Sequence, residues 1–502
     1  MAEAASLMAS PPVPDRRRRW WRRRFVVPAL LVLIPLAGYA MMAAVLYVIA
    51  ERQYWAAASE ADRLDPGWRF AEVMARRARV PDAENSARRI LAADAKGGGK
   101  EPPASLDEAV GFWGFVADGP LEGERLAALR DAMKSMGPAL EEALAVAEMP
   151  RGRYEATWSG DMYSGRLADV QAARRVARWL RLDAALRSHD GDIEGALRCA
   201  RAILNVGRSM GDEPALVSQV ARFSFDTMAV YCVEEALARG EASGATLARV
   251  QAELAREARE SLVLATLRGE RGVEDELTKR FRTGEADPIA ALELERSPLV
   301  RWYCQGRNLR ENQARVLGRL NRMVELAKLP DDRQFAGLRQ LESRWNNEWD
   351  TAGILDRLRW TPAKQSISVT MSVAMGQIRT RVLLDVATVG AAAERYRLAQ
   401  GRWPDSPDRL VPEYLEAVPI DPYLGTPLRQ LRNPGEFAIY SVGPDGQDDA
   451  GHRSPATPFS NGNDIVFRLW EPARRGPSGP VRPAGSERPG EASQPGQPRG
   501  GS

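Results

Sequence analysis

Histidine and cysteine are the scarce residues of this chain: two His and three Cys in 502 residues, with no CxxC or HExxH spacing. That shortage excludes a dedicated zinc site and a four-thiolate cluster, which need several soft ligands at fixed spacing. An excess of one charge is lacking too, since 70 basic side chains meet 67 acidic ones for a formal charge of +3. With 44% apolar and 27% charged residues, the composition describes a mostly globular chain, neither disordered nor multi-span. A phosphate-cradling loop is also missing. Gly97-Gly98-Gly99-Lys100 is followed by Glu101 rather than Ser or Thr, so with Pro102-Pro103 it reads as a flexible loop.

What the chain does contain is an N-terminal membrane signature. Residues 16–24 hold seven Arg in nine positions, and Phe25 to Ala50 then run 26 residues without a charge. About 20 apolar residues cross a ~30 Å hydrocarbon core, so this run spans it even with the bends that Pro28 and Pro35 invite. It is too long for the apolar region of a cleaved signal peptide and is expected to be an uncleaved anchor. The Arg cluster then keeps residues 1–24 cytoplasmic and exports everything from Glu51 onward. That places the chain in a bacterial inner membrane, single-pass, with its bulk periplasmic. Arg22-Arg23-Arg24-Phe25 loosely matches a twin-arginine export signal, but any Arg-rich flank produces that match. Beside a span, the nearer partner of clustered Arg is an anionic lipid headgroup rather than nucleic acid.

Past the span, apolar residues recur at helical spacing and no period-2 run occurs before about residue 430. Leu167, Val170, Ala173, Val176, Ala177, Leu180 and Ala184 form one stripe; Ile193, Leu197, Ala200, Ile203, Leu204 and Gly207 form another. Gly191 as a stop and Asp192 as an N-cap predict a helical hairpin between them. Further helices are expected at 214–239, 243–281, 308–328 and 378–400, arranged as a bundle or an irregular hairpin array, since no clean repeat period emerges. The final residues, 471–502, contain seven Pro and seven Gly and are expected to be disordered.

Candidate chemistry in this region is sparse. His189 and His452 fall in a turn and a flexible insertion without a Ser or Cys partner, and Cys199, Cys232 and Cys304 read mainly as buried hydrophobes, with a Cys199–Cys232 bridge as the alternative. Glu270, Glu274, Asp275 and Glu276 read as a solvated helix face paired with Arg268, Arg271, Lys279 and Arg280. Trp345, Trp349 and Trp360 read as packing anchors. No catalytic residue is assigned.

The C-terminal part carries the most specific motifs. A helix ends in Tyr396-Arg397-Leu398-Ala399-Gln400-Gly401-Arg402-Trp403-Pro404. Then come Val418-Pro419-Ile420-Asp421-Pro422-Tyr423-Leu424-Gly425-Thr426-Pro427-Leu428, a strand closing in Tyr440-Ser441-Val442-Gly443-Pro444-Asp445-Gly446-Gln447, and finally Asn463-Asp464-Ile465. This order resembles the globular head of the major pseudopilin of type II secretion, with its YRLDxGxYP-like turn, LPxDPWGxPY segment and S-x-G-A-D-G-Q loop followed by Asp-Ile. The resemblance implies short strands at 427–432, 436–441 and 464–469 against the helix. It also implies calcium held by Ser441, Asp445, Asp448, Asp449 and Asp464, with Asp445 and Asp464 the best motif matches. The alternative is that these residues serve only turns. The chain departs from the family in lacking a Glu near the start of its apolar run and in separating span from head by residues 51–365. As a whole it resembles uncharacterised single-span membrane proteins of planctomycete-like bacteria.

The expected architecture is mainly α: a cytoplasmic tail (1–24), a transmembrane anchor (25–50), an exported helical region (51–365), a pseudopilin-head-like α+β module (366–470) and a disordered tail (471–502). The expected role is binding or scaffolding of another periplasmic protein, linked to a type II secretion or pilus-like assembly, with no nucleic acid. Two alternatives stay open. A hydrolase would need a deep pocket with convergent carboxylates in the helical region, and a divergent pseudopilin would polymerise.

Overall fold

A computed structural model of the chain describes residue 25 and residues 27–110, 121–155, 164–287, 307–453 and 462–476. The Arg-rich tail, Cys304, residues 454–461 of the insertion after His452 and residues 477–502 lie outside that set. The described residues are mainly helical, with a small antiparallel sheet near the C-terminus, as the periodicity predicts. Among the described residues fourteen α-helices run in order: α1 (Val27–Leu64), α2 (Phe70–Arg76), α3 (Ser86–Lys96), α4 (Ala104–Val110), α5 (Gly123–Ser135), α6 (Gly137–Ala145) and α7 (Ser164–His189). Then follow α8 (Ile193–Arg208), α9 (Leu216–Arg239), α10 (Gly244–Ala258), α11 (Leu262–Thr283), α12 (Arg307–Ala327), α13 (Asp331–Thr351) and α14 (Ile354–Gln400).

Helix α1 has two halves of different chemistry. Its first part is apolar and exposed, and is long enough to cross a membrane. Its second part buries Tyr54, Ala57, Ala58 and Ala61 against Trp68 and against Ala314 and Leu317 of α12. Ion pairs fix this packing: Arg310 donates to Glu51 at 2.6 Å and Arg268 to Asp65 at 2.5 Å. The apolar run is therefore the continuation of a helix rooted in the protein body.

The predicted hairpin forms. Asp192 accepts the Gly195 N–H at 2.9 Å as the N-cap of α8, satisfying a donor that the first turn cannot pair internally. The two stripes share one core, except that Leu167 stays 45% exposed at the start of α7. Helix α9 packs on both α7 and α8, while α14 contacts α9, α10, α11, α12, α13 and the sheet. A serial array would confine each unit to its neighbours, so this is an irregular bundle around α14.

Other expectations are corrected. The single helix expected over 243–281 is two, α10 and α11, separated by a turn at residues 259–261. Glu270 is buried, and Glu274 and Asp275 face neighbouring helices, accepting from Ser366 (2.8 Å) and Gln313 (2.8 Å); only Glu276 behaves as expected, pairing with Lys279 and Arg280. Cys199 and Cys232 are buried free thiols. Trp345 is a core residue, and Trp360 donates to Glu311 at 2.9 Å beneath the Arg315 guanidinium.

Helix α14 ends at Gly401, whose φ of 69° lets its N–H turn back to the Arg397 carbonyl at 2.8 Å. A short ladder pairs β1 (Ile420–Asp421) with β2 (Thr426–Pro427), and β3 (Arg429–Asn433), β4 (Glu436–Ser441) and β5 (Ile465–Trp470) form an antiparallel sheet in that order. Alternation places Phe437, Ile439, Ile465, Phe467 and Leu469 in the core shared with α14. Gly390 allows this approach, because a Cβ there would sit 2.3 Å from the Phe467 ring.

Candidate functional site

A cleft of about 650 Å³ lies where α9, α13 and α14 meet the C-terminal module. Helical spacing supplies its walls: Phe223, Thr227 and Tyr231 from α9, Phe335, Arg339 and Glu342 from α13, and Met375, Arg379 and Leu383 from α14. The module closes it with Tyr423, Pro444, Arg453, Asp464, Ile465 and Val466. Phe335 and Tyr423 meet edge to face, with centroids 4.6 Å apart. The size and mostly apolar lining suit a small ligand or an inserted side-chain cluster.

Three arginines give the cleft its polarity. Arg453 is anchored by Glu234, which accepts both Nη atoms at 3.0 Å, and its guanidinium lies 5.2 Å from the Tyr231 ring centre. Burial pulls the Arg453 pKa down, but Glu234 more than compensates and holds it raised. Arg379 is different. Burial lowers its pKa, and the neighbouring Arg453 lowers it further. A bound anion would relieve that like-charge neighbourhood. Burial also raises the Tyr423 hydroxyl pKa, keeping it a neutral donor.

A second cleft of about 510 Å³ opens on the neighbouring face of α14, lined by Gln377, Arg381 and Asp385, and shares Phe223 and Thr380 with the first. It holds carboxylates. Asp226 is fully buried, neither of its oxygens accepts a hydrogen bond among the described residues, and burial followed by the charge of Glu257 raises its pKa well above the usual range. Burial likewise pushes Asp385 up to about 7. The charges acting on Asp226 are Glu257, Arg222 and Arg208, while those on Asp385 are Arg381, Asp331 and Arg259. Both raised carboxyls line this cleft, and Glu257 beside them is held by Arg208 (2.6 Å) and Arg222 (2.7 Å).

The residues expected to hold calcium are placed as follows. Ser441 is buried at the end of β4, hydrogen-bonded to Asp421, and its Oγ accepts the Gly443 N–H at 3.2 Å. Asp445 is exposed and accepts the Gln447 N–H at 3.0 Å. Asp448 pairs with Arg429 and accepts the Ala450 N–H at 2.9 Å. Asp464 is buried and accepts from the amides of Gly451 (2.7 Å) and Asp449 (3.4 Å), with its pKa raised to about 6 by burial. Asp448, Asp449 and Asp464 are thus neighbours, and Asp445 and Ser441 are occupied elsewhere. Among the described residues no three His, Cys, Asp or Glu side chains are gathered so as to hold a metal. Calcium takes six to eight oxygens, and here it would compete with Arg429 and the loop amides for these carboxylates.

The sequence reading missed the cleft arginines and Asp421. Asp421 is 1% exposed and accepts the amides of Tyr423 (2.9 Å) and Val442 (3.1 Å), tying the Asp-Pro turn to β4. Arg379 had a legible signal, because it lies on the apolar stripe of α14 three and four residues before Val382 and Leu383. Compared with family profiles, curated proteins and solved structures, the chain matches none.

Proposed function

We propose that this chain is a membrane-anchored, extracytoplasmic binding or scaffold protein. Its N-terminus lies in the cytoplasm, its body lies in the periplasm of a bacterial inner membrane, and its 650 Å³ cleft receives an acidic, apolar segment of a partner protein. The observation that carries the reading is the cleft itself: aromatic walls surround the half-buried Arg379 beside Arg453, a combination suited to a carboxylate on an apolar body. The pseudopilin-like order of C-terminal motifs makes a secretion or pilus-like assembly the first place to seek the partner.

The test is photo-crosslinking in native membranes from a benzophenone residue at Ser372, which lines the cleft. One protein adduct is expected, lost when Arg379→Glu is added to a chain of unchanged melting temperature. An adduct indifferent to Arg379→Glu, or none at all, would sink the assignment.

A further inference from the structure

The first turn of α14 is apolar and open to solvent. Ile354, Leu355 and Leu358 are 77%, 72% and 60% exposed, and the first two are the most exposed large apolar side chains among the described residues. The polar groups of this turn are used locally. Arg357 donates to the carbonyls of Ala352 (3.0 Å) and Asp350, and Asp356 pairs with Arg359 at 3.4 Å.

The position of this turn follows from contacts along three helices. α12 runs parallel to α1: Arg310 meets Glu51, Asn321 donates to the Ala57 carbonyl at 2.8 Å, and Lys328 to the Leu64 carbonyl at 3.0 Å. α14 runs alongside α12 in the same direction. Arg359 and Trp360 meet Glu311, Asn312 meets Arg359 and Ala363, and Ile367 to Ile378 pack in one cluster with Val316 to Ala327. Arg359 therefore stands level with Glu51, the first charged residue after the apolar run of α1. At 1.5 Å per residue, Ile354 lies about 7.5 Å farther toward that run, level with its last two turns. Tyr47 is 41% exposed at this height, and aromatic rings of this kind favour headgroup depth.

We propose that the first turn of α14 is a second membrane contact, with Ile354, Leu355 and Leu358 inserted at the headgroup boundary of the bilayer that α1 crosses. This rests on reading α1 as a span. A lipid surface is the occupant because the turn continues, at the same height, the exposed apolar surface of α1. The body then stands on the membrane at two points, which fixes its tilt and the direction in which the cleft faces.

The test uses the full chain in phosphatidylcholine–phosphatidylglycerol vesicles, on a background with Cys304→Ser. An environment-sensitive fluorophore is placed singly at Leu355, at Tyr39 in the apolar run, or at the exposed Leu91 of α3. Loss of fluorescence on adding dibrominated lipid is expected at 39 and 355, strongest at 355 for bromines nearest the glycerol, with none at 91. Quenching at 39 without quenching at 355 would overturn the second contact and leave the span intact. No quenching at 39 would remove the span reading itself. A label at 355 shielded from aqueous iodide yet unquenched by brominated lipid would mean that protein covers the turn, and would also overturn the proposal.

Discussion

The Asp385 carboxyl is raised to about 7 because burial outweighs the attraction of Arg381, with Asp331 adding repulsion. The sign of its effect follows from linkage. A carboxyl whose folded pKa lies above its unfolded value of about 3.9 stabilises the fold fully below that value, and the contribution is lost as pH rises through 7. Asp385→Asn should therefore leave stability unchanged near pH 4 and raise it by about 2 kcal/mol at pH 8, part of the full ~1.4 kcal/mol per pKa unit because the side chain is not wholly buried. Thermal unfolding at both pH values checks this, and an equal shift at both would refute it. The C-terminal loop makes the opposite point about legible residues. Its Asp and Ser residues were visible in the sequence as oxygen donors, but a donor can serve an ion or an amide with equal ease, and only placement showed Asp464 on the amides of Gly451 and Asp449. Calcium titration should accordingly leave the melting temperature unchanged. A saturable rise, lost in Asp448→Asn with Asp464→Asn, would show that the loop opens to take the ion.

At the scale of elements, helix existence was legible and helix limits were not. Periodicity located α7, α8, α9 and α12 closely, because apolar residues recur along each at helical spacing, whereas the limits expected for β3 to β5 came from the resemblance. It placed the start of the long C-terminal helix near 378, whereas α14 begins at Ile354 and carries Pro362 inside. Proline removes a donor and disturbs the ladder. The repair comes from 50 residues upstream in sequence: the Ala363 N–H donates to Asn312 Oδ1 at 3.1 Å, and Asn312 Nδ2 donates to the Arg359 carbonyl at 2.9 Å. One side-chain amide thus bridges the Ala363 N–H and the Arg359 carbonyl beside the proline, which no local window could reveal. Asn312→Leu should cost about 2 to 4 kcal/mol by leaving both buried backbone groups unmet. Asn312→Ala should cost at least as much, measured by denaturant unfolding, and a loss below ~0.5 kcal/mol would show that water or a regular helix bond replaces the amide. The break between α10 and α11 is of the same kind. No Gly or Pro marks residues 259–261, and what fixes the end of α10 is Glu257, buried between Arg208 and Arg222 of two other helices.

At the scale of the whole molecule, the question is where the apolar segment ends and the body begins. The sequence places that boundary at Ala50, by charge. The structure puts no joint there, since α1 continues to Leu64 and its last turns are core. Two truncations separate these descriptions. A chain begun at Ala50 keeps Glu51 for Arg310, Asp65 for Arg268 and Arg271, and the Tyr54, Ala57, Ala58 and Ala61 surface that covers Ala314 and Leu317. It should melt cooperatively within a few degrees of the full chain. A chain begun at Pro66 strands Arg271, whose side chain is 1% exposed, without its carboxylate. Leaving a buried charge unpaired costs about 3 to 5 kcal/mol on its own, and the uncovered apolar surface adds to it, so this chain should unfold or aggregate. Circular dichroism melts of the two chains decide the matter. Equal stability would mean that residues 50–65 are only a stalk. The expected contrast would mean that the apolar run is a rigid extension of the body, so that force or tilt applied to it passes through α1 and α12 without a flexible linker to absorb it.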